Sequence, residues 1–170
     1  MHRSSTLTTI AVVLLLFIAA LLPNNTAAQQ AKQQIVGAWT VVASNTTRPD
    51  GTKVATFGPN PKGTIIFDAS GRYALELMSS SLPKVASNNR NDGSADENKA
   101  IVQGSLAHFG RYSIDEATRT LTFHMESSTF PNWNGTDQKR TFTISGDDLR
   151  WETPAASGGG SASLVWKRAR

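Results

Sequence analysis

The 170-residue chain has no cysteine and only three histidines, and each scarcity removes a class of chemistry. Without cysteine there is no disulfide, no thiolate nucleophile and no lipid-modified cysteine, so stability must come from the core alone. His2 lies at the extreme N-terminus, which leaves His108 and His124. Those two cannot build a three-histidine metal site, and Glu126 does not complete one, because His108 reads as a helix–strand junction. No metal and no cofactor is expected. A serine nucleophile on an elbow motif is also missing.

Long apolar runs are equally scarce. The single one, "IAVVLLLFIAALL" from Ile10 to Leu22, is shorter than the roughly 20 residues a bilayer core requires. It follows a basic start at Arg3 and precedes the small residues of "PNNTAAQ", the pattern of a secretory signal peptide with cleavage after Ala28. The expected division is therefore 1–28 signal peptide and 29–170 a single domain, secreted or periplasmic, with no membrane span after cleavage. Positive charge is in modest excess, 17 Lys and Arg against 13 Asp and Glu, and no basic run exceeds the terminal "KRAR". That balance gives no reason to expect nucleic acid as a partner.

What the sequence does have is period-two apolar patterning nearly everywhere. Strands are predicted at about 37–44, 52–57, 62–68, 71–79, 108–114, 119–127, 138–145, 148–153 and 162–168. Turn sequences such as "RPDG", "DASG" and "SGDD" separate them, and the shortest fit antiparallel hairpins. One interruption stands out, where Ile101, Val102, Leu106 and Phe109 fall at helical spacing behind a capping box formed by Ser94 and Glu97. A short helix is predicted over 95–106. Many short strands joined by tight turns make a meander that closes into a barrel or folds into a sandwich, and closure removes the exposed edges.

Longer patterns point to the barrel. "IVGAWTVVAS" opens the first strand, "FGPNPKGTIIFDASGRYALELM" and "AHFGRYSIDEATRTLTFHMESSTFPNWNGTDQKR" follow, and "SLVWKR" closes the chain. Together, over about 35–168, they resemble the bacterial and fungal lipocalin-like domain family of the calycin group. The resemblance implies an all-β, up-and-down antiparallel barrel of 8–9 strands with one short helix, surrounding a cavity. It also implies that Gly37 and Trp39 close the barrel base, with Arg168 of the last strand across the indole. No catalytic mechanism comes with it.

The hairpin "FHMESSTFPNWNGTDQKR", residues 123–140, concentrates the remaining chemistry. His124 and Glu126 share one face of their strand, while Leu121, Phe123 and Met125 take the other. Hydrophobic patterning sends the polar pair to water. The family resemblance, and Arg140 lying on one face with Phe142 and Ile144, instead send it to the cavity mouth. Phe130 and Trp133 sit in a loop stiffened by Pro131, the rim of a cavity or a plug in its end.

Two functions are open at this level. One is a monomeric binding module whose barrel holds a small, largely apolar or amphipathic molecule, with Tyr73, Leu75, Phe123 and Trp133 as walls and His124, Glu126 and Arg140 fixing a polar end. The other is a small-molecule cyclase, isomerase or hydrolase in which His124 is the base, Glu126 its orienter and Arg140 the anion stabiliser. It requires His124 to point inward. A purely structural alternative for the same residues is a cross-strand ion pair between Glu126 and Arg140.

Overall fold

Alternation of buried and exposed residues runs through almost every strand of the computed structural model, which describes residues 31–170. The signal segment and its cleavage position after Ala28 lie outside the described residues. Nine strands form, β1 Gly37–Thr47, β2 Lys53–Ala55, β3 Lys62–Phe67, β4 Arg72–Met78, β5 Ser105–Asp115, β6 Thr120–Ser128, β7 Asp137–Ser145, β8 Asp148–Thr153 and β9 Ser161–Arg168. All neighbours are antiparallel, in the order β2-β1-β3-β4-β5-β6-β7-β8-β9. β1 also pairs with β9, from Trp39 opposite Arg168 to Thr47 opposite Ser161, so β1 and β3–β9 close a barrel. β2 is an extra short strand along the far end of β1, where Val54 faces Thr46.

The inward residues fill one end of this barrel completely. Trp39, Ile65, Leu121, Leu149 and Trp166 are wholly buried there. Trp39 Nε1 donates to the carbonyl of Ile35 at 2.8 Å. Arg168 lies over its ring with the guanidinium carbon 4.2 Å from the centroid. The same guanidinium donates to Val36 O at 3.1 Å and Gln34 O at 2.6 Å, tying the incoming chain to the last strand. Gly37 makes this approach possible. Its φ of +124° suits no L side chain, and a Cβ there would stand 3.2 Å from Arg168 Nη1.

The helix α1, Ala95–Gln103, is held by the capping box: Glu97 N donates to Ser94 Oγ and Ser94 N to a Glu97 carboxylate oxygen. It ends at Gly104, whose N–H donates to Ala100 O, and Ser105 already belongs to β5. The helix expected to reach residue 106 is therefore shorter. Leu106 fits the helical period and the inward strand period alike, and the sheet claimed it because β5 pairs with β4 from Ser105 onward, while Phe109, three residues on, faces outward. No residue of α1 is buried.

β6 carries a bulge opposite Gly110. Gly110 pairs with Met125 and Phe109 with Ser127, leaving Glu126 as the extra residue. A Cβ on Gly110 would run into the carbonyl oxygen of His124, so glycine is required by the closeness of the two backbones. Among the described residues no helix is long and apolar enough to cross a membrane.

Candidate functional site

Opposite the filled end the barrel is hollow. A cavity of about 400 Å³ opens between the end of α1, the loop holding Phe130 and Trp133, and the loop at Ala156–Gly158. Its walls are mostly apolar, with Phe57, Leu75, Phe123, Trp133, Trp151 and Leu164 contributing the large surfaces. Trp133 ends a short 3-10 turn, Pro131–Trp133, whose first residue is the helix-compatible proline. Its indole meets His108 edge-on at 5.9 Å and Phe130 at 5.5 Å between centroids.

Three polar side chains converge among these rings. Arg140 is only 5 % exposed and lines the cavity, its guanidinium carbon 6.0 Å from the centre of the Phe123 ring. The Tyr73 hydroxyl lies 2.9 Å from His108 Nδ1, and both residues are buried. Burial pushes the His108 imidazole down to about 3, with the Arg140 charge adding to the effect, so this histidine is neutral at physiological pH. Burial drives the Tyr73 phenol far up, opposed by Arg140 and aided by Glu126. The phenol is protonated and the imidazole neutral, so a single proton joins the Tyr73 hydroxyl to Nδ1, and either atom can be its donor. Burial also lowers Arg140, to about 10, against the opposing influence of Tyr73. It remains cationic at neutral pH.

His124 and Glu126 are not part of this cluster, and the expectation that they line the cavity mouth is corrected. Both project from the outer wall, because Leu121, Phe123 and Met125 on the alternate positions fill the barrel. Glu126 forms an ion pair with Arg72 at 2.9 Å, not with Arg140. The β6–β7 register places Arg140 opposite Leu121 and His124 opposite Asp137, so Arg140 faces inward while its supposed partners face out. His124 Nδ1 is 2.7 Å from Asp137 Oδ1 and Nε2 is 3.0 Å from Ser113 Oγ. That chain has the connectivity of a nucleophile, a base and its orienter, yet the cavity does not reach it. The backbone around Ser113 and His124 is also engaged in the β5–β6 ladder, so it does not form a backbone oxyanion hole there.

Of the other sequence-predicted residues, Leu75, Phe123 and Trp133 line the cavity, and Tyr73 stands behind His108. Gly37, Trp39 and Arg168 gather at the filled end. His108 was passed over as a junction residue. The signal that locates it is the inward alternation Leu106, His108, Gly110, Tyr112 along β5. Trp151, Leu164 and Phe57 join the wall through strand and loop positions that no local motif marks. Among the described residues no group of three or more His, Cys, Asp or Glu is placed to hold a metal ion.

Comparison with known proteins gives several likenesses. The chain is 33% identical over 67 residues to the 4'-hydroxy-3'-methoxypropiophenone carrier protein of Aspergillus oryzae, a match covering 36% of this chain and 60% of that protein. It thus spans less than two thirds of the curated relative's length. Among solved structures, a lipocalin-like protein from Bacteroides uniformis aligns with 15% identity and a TM-score of 0.44, over 79% of this chain and 98% of that one. An uncharacterized protein from Bacteroides eggerthii aligns with 14% identity and a TM-score of 0.41, over 79% and 99%. Residues 36–169, the entire barrel, match the lipocalin-like domain, and the chain belongs to that family.

Proposed function

We propose that the protein is a carrier for a small, largely apolar molecule held inside the barrel. The observation behind this reading is the cavity of about 400 Å³, walled by aromatic and aliphatic side chains and open at one end only. Its volume lies within the roughly 300–1,000 Å³ of small-molecule sites, and a few convergent polar groups among apolar walls are their usual form. The A. oryzae relative, a carrier of a substituted propiophenone by its name, supports transport of an aromatic compound as the shared task. The N-terminal apolar run supports export, placing the carrier outside the cytoplasm, where it acts as a monomer. The competing reading, acid–base catalysis by His124 and Glu126, has no support from their position on the outer wall.

Native mass spectrometry on protein purified from its own host is the direct test, with fluorescence titration of phenylnaphthylamine, a neutral apolar dye, beside it. A bound small molecule, or a saturable one-to-one rise in dye emission, is the expected result. Repeated recovery of empty protein that also fails to take up the dye would refute the carrier reading.

A further inference from the structure

A buried cation without a counterion is costly, and a fold retains one where something else supplies the negative charge. Arg140 meets that description. It is nine-tenths buried or more and forms no ion pair among the described residues. Its one hydrogen bond there is from Nη1 to the carbonyl of Lys139 at 2.8 Å. The Phe123 face offers partial compensation at 6.0 Å. The rest of the guanidinium looks into the cavity.

The cavity wall around it is sharply one-sided in charge. No Asp or Glu lines it, and Arg140 is its single Lys or Arg. Beside Arg140 the neutral His108 has no hydrogen-bond partner for Nε2 among the described residues, so one ring nitrogen is left open on the same wall. The charge on this wall is therefore positive and uncompensated where the polar cluster meets the hollow. A ligand entering here must bring an acceptor. One cation neutralises one unit of charge, so a doubly charged phosphate would remain half-compensated in an apolar chamber. The flanking surfaces are rings, Phe123, Trp133 and Trp151, which favour a flat partner.

We infer that the ligand is an aromatic monoanion, a carboxylate or phenolate whose charged oxygen docks on Arg140 beside His108 and whose ring lies among Phe123, Trp133 and Trp151. This rests on the carrier reading above and adds the charge of the cargo to it. Tyr73 acts as a positioning residue, holding the His108 ring through Nδ1 and leaving Nε2 for the ligand. The lowered basicity of Arg140 agrees with a charge waiting for a partner, since an anion in contact with it would reverse that shift.

Naphthoate and naphthamide test it, being nearly the same shape and differing in charge. Calorimetric titration of each into the wild-type protein should show naphthoate binding more tightly by at least about tenfold, the usual net value of a hydrogen bond to an ionised partner. Arg140→Met, which keeps the buried stem, should bring naphthoate down to the level of naphthamide. A second readout needs no variant: the Arg140 Nε–H resonance of wild-type protein should shift on adding naphthoate and stay in place with naphthamide. Equal affinity for both compounds, or a naphthoate preference that survives in Arg140→Met, would overturn the inference while leaving a neutral-cargo carrier intact. Failure of both compounds and of phenylnaphthylamine to bind would overturn the carrier reading as well.

Discussion

Replacing Trp39 by alanine should nearly unfold the protein, and the structure says why. The side chain is 0% exposed, at the filled end of the barrel. Deleting a fully buried Trp costs about 3–5 kcal/mol in lost burial and residual cavity. Two further losses attach to this residue. Ile35 O loses the donor now 2.8 Å away, and a buried acceptor left unpaired costs on the order of 1 kcal/mol. Arg168 loses the ring it covers, worth about 0.5–2 kcal/mol. The terms overlap, so a total near the top of the range, about 5 kcal/mol, is expected. Native stability is of the order of 5–15 kcal/mol, and for a domain of this size each kcal/mol moves Tm by about 3–4 °C. Tm should fall by about 15 °C, and the urea midpoint should fall with it. Trp133→Ala is the internal control, because that indole is only partly buried and borders the hollow. It should cost no more than about 2 kcal/mol, since the space it leaves joins an existing opening. Equal losses for the two variants would refute the division into a filled end and an open end.

Other consequences are open to the same measurements. Gly110→Ala should destabilise by about 2–3 kcal/mol, because the new Cβ meets His124 O across the bulge, whereas Gly158→Ala, with nothing within 4 Å of its added Cβ, should be near neutral; thermal melts of the pair decide it. Trp166→Phe should cost about 1–2 kcal/mol less than Trp39→Phe in urea titrations, since Trp166 Nε1 is the buried side-chain polar atom without a partner among the described residues, while Trp39 Nε1 is bonded. His108 makes stability depend on pH: its folded pKa, about 3, lies below that of the free side chain. The unfolded chain therefore binds a proton that the fold refuses. Stability is full above about pH 6.5 and falls as pH drops toward 3, by up to ~1.4 kcal/mol per unit. Carboxylates held low in the fold, such as Asp68 and Asp115, lose stability in the same direction. The difference between wild type and His108→Gln isolates the histidine: the variant's urea midpoints between about pH 6 and pH 4 should fall less steeply, and parallel curves would rule the histidine out.

The strands were legible because each has one wet face and one dry face, so alternation in Arg72–Met78 or Asp148–Thr153 is written residue by residue. The capping box was legible for a similar reason, since Ser94 and Glu97 act within one turn. The site was harder, because its geometry depends on register between strands. Alternation alone sent His124 and Glu126 outward, as the structure has them. The inward reading came from the family resemblance together with Arg140, which does face inward. The link between Arg140 and the polar pair failed because the loop between β6 and β7 sets the pairing, placing Arg140 across from Leu121. His108 was hidden by the helix end: stopping the helix at Gln103 and not at 106, most of a turn earlier, moves it from junction to strand interior. The remaining wall residues meet only when β1, β8 and β9 close the barrel, a contact with no local trace.

The clasp of Arg168 on Trp39 also decides how the molecule can be handled. Because Gly37 and Arg168 lie together at the filled end, the incoming and outgoing chain are neighbours there, and the mouth is at the other pole. A surface, bead or fluorescent domain attached after Arg168 therefore stands the full height of the barrel away from the opening. Immobilised protein keeps its doorway free. The same adjacency lets a short peptide join the incoming segment to the last strand and the chain be reopened in an exposed turn such as Ala117–Thr118, a rearrangement that leaves the cavity untouched.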